Sequence, residues 1–167
     1  SLLNRFMRSG FQSPAFEDTR WSLILHARSD DTGIARKALE ELCQAYWFPL
    51  YGFVRRWGHG PHDAEDLTQE FFRRLLERRD FDRVESGKGR LRSYLLGALK
   101  HFLSNEAAKE NTAKRGGGKV VSLDREWAET RLEMEPASDD WSPDRLFDRR
   151  WAFTQLEGAR RRIKERF

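Results

Sequence analysis

Apolar residues recur at intervals of three and four along nearly the whole chain, the spacing of helices that bury one face. Short β-prone stretches such as Val120-Val121 are too isolated to build a sheet, so the pattern predicts an all-α fold. Thr19 can cap a short helix carrying Trp21, Leu23, Ile24 and Leu25, which fades near Ser29-Asp30-Asp31. Asp31 or Thr32 caps the next, whose Ala35, Ala38, Leu39, Leu42 and Tyr46 share a face. Pro49 lacks a backbone donor and predicts a kink or break there before Leu50, Phe53 and Val54 resume the pattern. Gly58 is a stop signal, and Pro61 opens a third helix running to about Arg79. Asp63, Glu65 and Asp66 fall where its dipole is positive.

In that third helix Ala64, Leu67, Phe71, Phe72, Leu75 and Leu76 form the apolar stripe, and Asp66, Gln69, Glu70 and Arg73 are expected to point away from it. A loop with Ser86-Gly87-Lys88-Gly89 leads to a fourth helix marked by Leu91, Tyr94, Leu95, Ala98, Leu99 and Phe102, continuing towards Lys114. Gly116-Gly117-Gly118 closes the compact part, because three glycines are costly to order and bring no side chain to a core. Ser142-Pro143-Asp144 combines a cap, a first-turn residue and a dipole partner, and opens a last helix with Leu146, Phe147, Trp151, Phe153, Leu156 and Ile163. The expected organisation is an N-terminal extension (1–18), a compact bundle of about four helices (19–115), a flexible acidic linker (116–142) and a C-terminal amphipathic helix (143–167).

Composition narrows the function. A chain of 167 residues suffices for one ordinary domain with an extra arm. The 31 basic against 27 acidic residues give a formal net charge of +4, which permits a polyanionic partner without requiring one. With one cysteine, Cys43, the chain holds neither an internal disulfide nor a cysteine-rich metal site. No apolar run approaches the roughly 20 residues that span a bilayer, so a cytoplasmic protein without a membrane partner is expected.

Candidate chemistry concentrates between Lys88 and Arg115. Lys88, Arg90, Arg92, Lys100, Lys109, Lys114 and Arg115 are opposed there only by Glu106 and Glu110. Cations flanking Tyr94, His101 and Asn105 can neutralise phosphates and offer ring stacking and hydrogen bonds to exposed bases. A merely solvated helix face is the competing explanation. The carboxylates and histidines around His59, His62 and Asp63 do not form a metal site, since no i, i+4 histidine pair or His-Glu-x-x-His arrangement exists. Cys43 has no histidine at helical spacing, and neither a nucleophile elbow nor a phosphate-binding glycine loop is present. A binding protein is expected, not an enzyme, with no cofactor and no metal.

The run Ala64-Glu65-Asp66-Leu67-Thr68-Gln69-Glu70-Phe71-Phe72, a loop, and then Gly89-Arg90-Leu91-Arg92-Ser93-Tyr94-Leu95-Leu96 resembles region 2 of the extracytoplasmic-function sigma factors. The preceding Tyr46-Trp47-Phe48-Pro49-Leu50-Tyr51-Gly52-Phe53-Val54-Arg55-Arg56 is similar to the variant of that family abundant in planctomycete-like bacteria. The resemblance covers about Thr19 to Gly118.

It implies a transcription initiation factor that partners the RNA polymerase core and promoter DNA, with an anti-sigma protein as a further partner. The third helix would dock on the clamp helices of the polymerase largest subunit through Asp66, Gln69 and Glu70. The loop from Asp82 to Gly89 and the fourth helix would hold the minus-ten element as a single strand with a flipped base. Lys88, Arg90, Arg92, Lys100, His101 and Asn105 would contact DNA, and Lys109, Lys114 and Arg115 flanking phosphates. Tyr94 stands where the family usually has tryptophan, and its place on the apolar stripe favours a core role over base stacking. His101 and Gly97 also depart from the family pattern, which leaves base preference and grip open. The last helix, through Arg160-Arg161-Arg162-Ile163-Lys164, resembles the beginning of the family's second, helix-turn-helix domain, or is an ordinary helix packing on the first. The acidic segment is a spacer, or else it shields the DNA-binding helix or occupies the polymerase's basic channel. A helical adaptor that binds protein through its Trp- and Phe-rich stripes is the alternative to the whole reading.

Overall fold

The computed structural model describes residues 22–77, 91–108, 123–136 and 140–167, and these form helices and connections without a strand. The all-α expectation holds. In chain order the helices are α1 (22–27), α2 (Thr32–Trp57), α3 (Pro61–Glu77), α4 (Leu91–Ala108), α5 (Arg125–Glu133) and α6 (Pro143–Arg166). The 1–18 extension, Thr19, Trp21, the Asp82–Gly89 loop and the glycine triplet lie outside the described residues.

Asp31 starts α2, its carboxylate accepting from the backbone N–H groups of Gly33 (3.0 Å) and Ile34 (3.2 Å). Gly58 ends it at φ 122°, a left-handed conformation that glycine adopts without strain. Of the kink or break expected at Pro49, the break does not occur, and the 26-residue helix runs through it. Every residue from Phe48 to Val54 is buried, so side chains pack on all sides of that turn and outweigh the one missing backbone bond. A helix apolar all round belongs at the centre of a fold, and α3, α4, α5 and α6 all pack against α2.

Pro61 supplies the first turn of α3, and Ala64, Leu67, Phe71, Phe72 and Leu75 bury its stripe against α2 and α4. Thr68 is fully buried there as well. Its hydroxyl donates to the Ala64 carbonyl at 2.7 Å, which satisfies the polar group inside the core. Leu91, Leu95, Leu99 and Leu103 recur four apart along α4 and are all buried, and Phe102 meets Phe71 at 5.8 Å between ring centroids.

The segment expected to be a flexible acidic linker differs in its described part. Asp124 caps α5 by accepting from Trp127 N at 2.9 Å, Ala128 is fully buried, and Trp127 packs on Phe48 (5.1 Å) and Trp47 (5.9 Å). Glu129 binds Arg55 through two contacts, Nε–Oε1 2.7 Å and Nη2–Oε2 3.2 Å, and also accepts from the Tyr51 hydroxyl. Acids that look like solvating charge in the sequence include one that fastens α5 to the central helix. Burial acts to raise the Glu129 pKa, but the hydrogen bonds from Arg55 and Tyr51 outweigh it and hold the carboxyl below its ordinary value.

Ser142 caps α6 as its sequence predicts, accepting from Arg145 N at 3.2 Å. The first part of α6 lies along α2 and buries Leu146, Phe147 and Arg150, so this helix does pack on the first domain. Farther along, Leu156, Ile163 and Phe167 are exposed.

Candidate functional site

Two surfaces carry the candidate residues, one at the start of α3 and one along α4. At the first, helical phase decides which side chains are available. Asp66 is exposed, on the rim of an open cleft shared with His62, Glu65, Asp124 and Arg125. Arg125 closes one side of that cleft by pairing with Glu65 at 3.1 Å and contacting the His62 ring.

Gln69 is a correction. The α3 stripe suggested that it points outward, yet it is only 6 % exposed. It follows Glu65 by one helical turn, and Glu65 itself pairs with Arg125 of α5, a neighbour that could not be read from the α3 stripe alone. Glu70 sits between these extremes. Its two oxygens bind Arg73 Nη1 at 2.8 Å and Arg74 Nε at 3.2 Å, and its side chain is 15 % exposed. Arg74 in turn stacks over Phe102 of α4, 5.0 Å from the ring centroid, so Glu70 belongs to a network that joins α3 to α4. Asp66 is therefore the most accessible of the three expected contact residues.

Along α4 the outward positions are Ser93, Gly97, His101, Ser104 and Asn105, spaced three and four apart on one face. Gly97 has open space around its Cα, so backbone is accessible in the middle of this stripe. His101 Nε2 and Asn105 Nδ2 stand 3.1 Å apart, one turn from each other, and both side chains are exposed. Together they offer an imidazole and an amide, groups able to donate and accept towards a base edge. Tyr94 packs against the core as expected, and burial pushes its phenol up to about 12.

The cations beside this stripe are engaged within the chain. Arg92 Nε lies 3.2 Å from Asp148 Oδ1, and its guanidinium covers the Trp151 ring at 4.4 Å from the centroid. Lys100 Nζ lies 2.8 Å from Asp144 Oδ1. Both acids come from α6. The sequence carries one signal for this, an Asp-x-x-x-Asp spacing that sets two carboxylates on one helical face. Lys88, Arg90, Lys109, Lys114 and Arg115 lie outside the described residues.

The Cys43 thiol is buried in the core, and that burial pushes its pKa up to about 12. No described helix is long and apolar enough to cross a membrane.

Residues 38–112 match the family model described as Sigma-70 region 2, a span that begins within α2, includes all of α3 and α4, and ends before α5. No curated protein and no solved structure gives a match to the chain.

Proposed function

We propose that residues 38–112, which match the Sigma-70 region 2 family model, serve promoter recognition by RNA polymerase, and that the two surfaces divide the work. The start of α3 binds the clamp helices of the polymerase largest subunit, with Asp66 as the leading contact and Glu70 beside it. The outward face of α4 holds the minus-ten element as a single strand. Chemistry is not required of either surface. Initiation by such a domain is a matter of differential binding: a melted strand held by protein is favoured over the closed duplex.

The observation that carries the reading is the exposed stripe of α4. Ser93, Gly97, His101, Ser104 and Asn105 present small side chains, accessible backbone and two hydrogen-bonding rings or amides on one face, flanked by Arg92 and Lys100. A splayed base needs such a combination, because a few kcal/mol of unstacking must be offset by hydrogen bonds and phosphate contacts. The opposite face of α4 is occupied by leucines packed in the core, so the stripe is set at a fixed distance from α3. Rigid spacing between the two surfaces lets one body grip the polymerase and the strand together.

Gln69 enters this reading in a different role from the one its position in the family run suggests. With 6 % of its surface exposed it supports the shape of the α3–α5 flank, and its loss would act on polymerase binding through that flank.

Capture of core polymerase on the immobilised chain, followed by sequencing of the promoter DNA that the complex retains, tests the proposal. Enrichment of a common element upstream of transcription starts is the expected outcome. Polymerase captured with DNA of random sequence would reject the promoter-reading role of α4, and no capture would reject the α3 surface.

A further inference from the structure

We propose that α6 shields the α4 face in the free chain: Asp144 and Asp148 occupy Lys100 and Arg92, and a single strand gains those cations only by displacing the two carboxylates. The inference rests on the reading of α4 as the DNA-binding helix.

The geometry is that of a charge-matched pair of helices. Asp144 and Asp148 are one turn apart, and Arg92 and Lys100 are two turns apart, so the longer basic side chains converge on the acids. The order is reversed between the two helices, with Arg92 on Asp148 and Lys100 on Asp144. Trp151, one turn beyond Asp148, takes the face of the Arg92 guanidinium.

Charges on this part of α6 are sorted by direction. Arg145 and Arg149 turn to the Trp141 ring, at 4.4 Å and 5.2 Å, while the two aspartates meet α4. Leu146, Phe147 and Arg150 fix the helix to α2, so the acids are delivered to α4 by a buried anchor and do not depend on their own attraction.

The acids themselves are half exposed, 57 % for Asp144 and 56 % for Asp148, and pairs in such surroundings are individually weak and screened by salt. A weak pair suits a shield, since a run of phosphates can replace it without unfolding α6. Polymerase-bound or otherwise opened forms of the chain would present both cations to the strand.

Fluorescence anisotropy with a labelled oligothymidine strand tests the shield on the full chain. Asp144→Asn with Asp148→Asn is compared with Glu157→Gln with Glu165→Gln, which changes the net charge equally on the same helix but away from the α4 pairs. At low salt the aspartate variant should bind about three- to tenfold tighter than the unsubstituted chain, in line with two weak pairs removed. Its salt dependence should steepen by up to ~1.4 in slope, two phosphates at ~0.7 each. The glutamate control should stay near the unsubstituted chain. Adding Arg92→Gln and Lys100→Gln to the aspartate variant should abolish the gain.

Unchanged affinity in the aspartate variant, with weaker binding on Arg92→Gln and Lys100→Gln alone, would overturn the shield and leave the DNA-binding reading standing. An equal gain in the glutamate control would overturn it too, as a general charge effect. Indifference of every variant to Arg92 and Lys100 would reject the DNA-binding face itself, and the shield with it. Circular dichroism melts run alongside confirm that each variant is folded.

Discussion

Arg150 lies across Gly52 so closely that a Cβ on that glycine would stand 2.9 Å from the arginine Cδ, Nε and Cζ. Arg150 is 6 % exposed and pinned there, with Nε donating to Glu135 Oε1 at 2.6 Å. The glycine is a notch in the central helix, and it sets how near α6 comes. Gly52→Ala would push a buried, hydrogen-bonded side chain out of place. Loss of roughly 1–3 kcal/mol is expected, the range for overpacking a filled site, read as a lower urea midpoint with the slope retained. An unchanged midpoint would mean that α6 does not rest on this notch.

The acid limb of stability should report Glu129. Its carboxyl titrates below the ordinary value in the fold, where Arg55 and Tyr51 hold the charged form, and near ~4.3 once unfolded. At neutral pH the group is ionised in both states and the contribution is complete. As the pH falls the unfolded chain takes up its proton first, so the contribution shrinks below the unfolded value and is gone once the folded value is passed. Glu129→Gln should therefore be less stable than the unsubstituted chain at pH 7, and the gap should close on acidification. A gap constant between pH 7 and pH 3 would show that the Arg55–Glu129 ion pair contributes nothing.

Cys43 offers a clock for opening of the core. The thiol is 8 % exposed and burial pushes it up to about 12, so almost no thiolate is present at pH 8 in the folded chain. Iodoacetamide labelling at pH 8 should be far slower than in urea, where the thiol returns to ~8.5. Equal rates in the two conditions would contradict the packing described for α2.

Which parts of this architecture were legible in the sequence follows from how local their causes are. Asp31, Gly58, Pro61 and Ser142 act on their own helix ends, and each bounds the element that its chemistry predicts. The α3 stripe was equally plain, because a period of 3.6 is a local signal. Pro49 does not break its helix, because the loss of one backbone bond is local, while the burial of Phe48 to Val54 that outweighs it depends on a helix packed against four others. Gln69 misled: its own helix says outward, yet it is only 6 % exposed in the fold. The α5 segment reads as acidic spacer by composition, yet Trp127 and Glu129 find partners some 70 to 80 residues away in α2, which no window along the chain can register. The ion pairs of Arg92 and Lys100 with α6 are of that long-range kind as well.

The proposed polymerase contact rests on Asp66, the exposed member of the three α3 candidates. Isothermal titration of an isolated clamp-helix fragment of the polymerase largest subunit into the full chain, beside Asp66→Arg, tests it most directly. Saturable binding by the unsubstituted chain is predicted, with affinity at least ~tenfold lower for Asp66→Arg, since a like charge set against a complementary surface costs several kcal/mol. Binding that is absent in the unsubstituted chain, or equally tight in Asp66→Arg, would contradict the assignment.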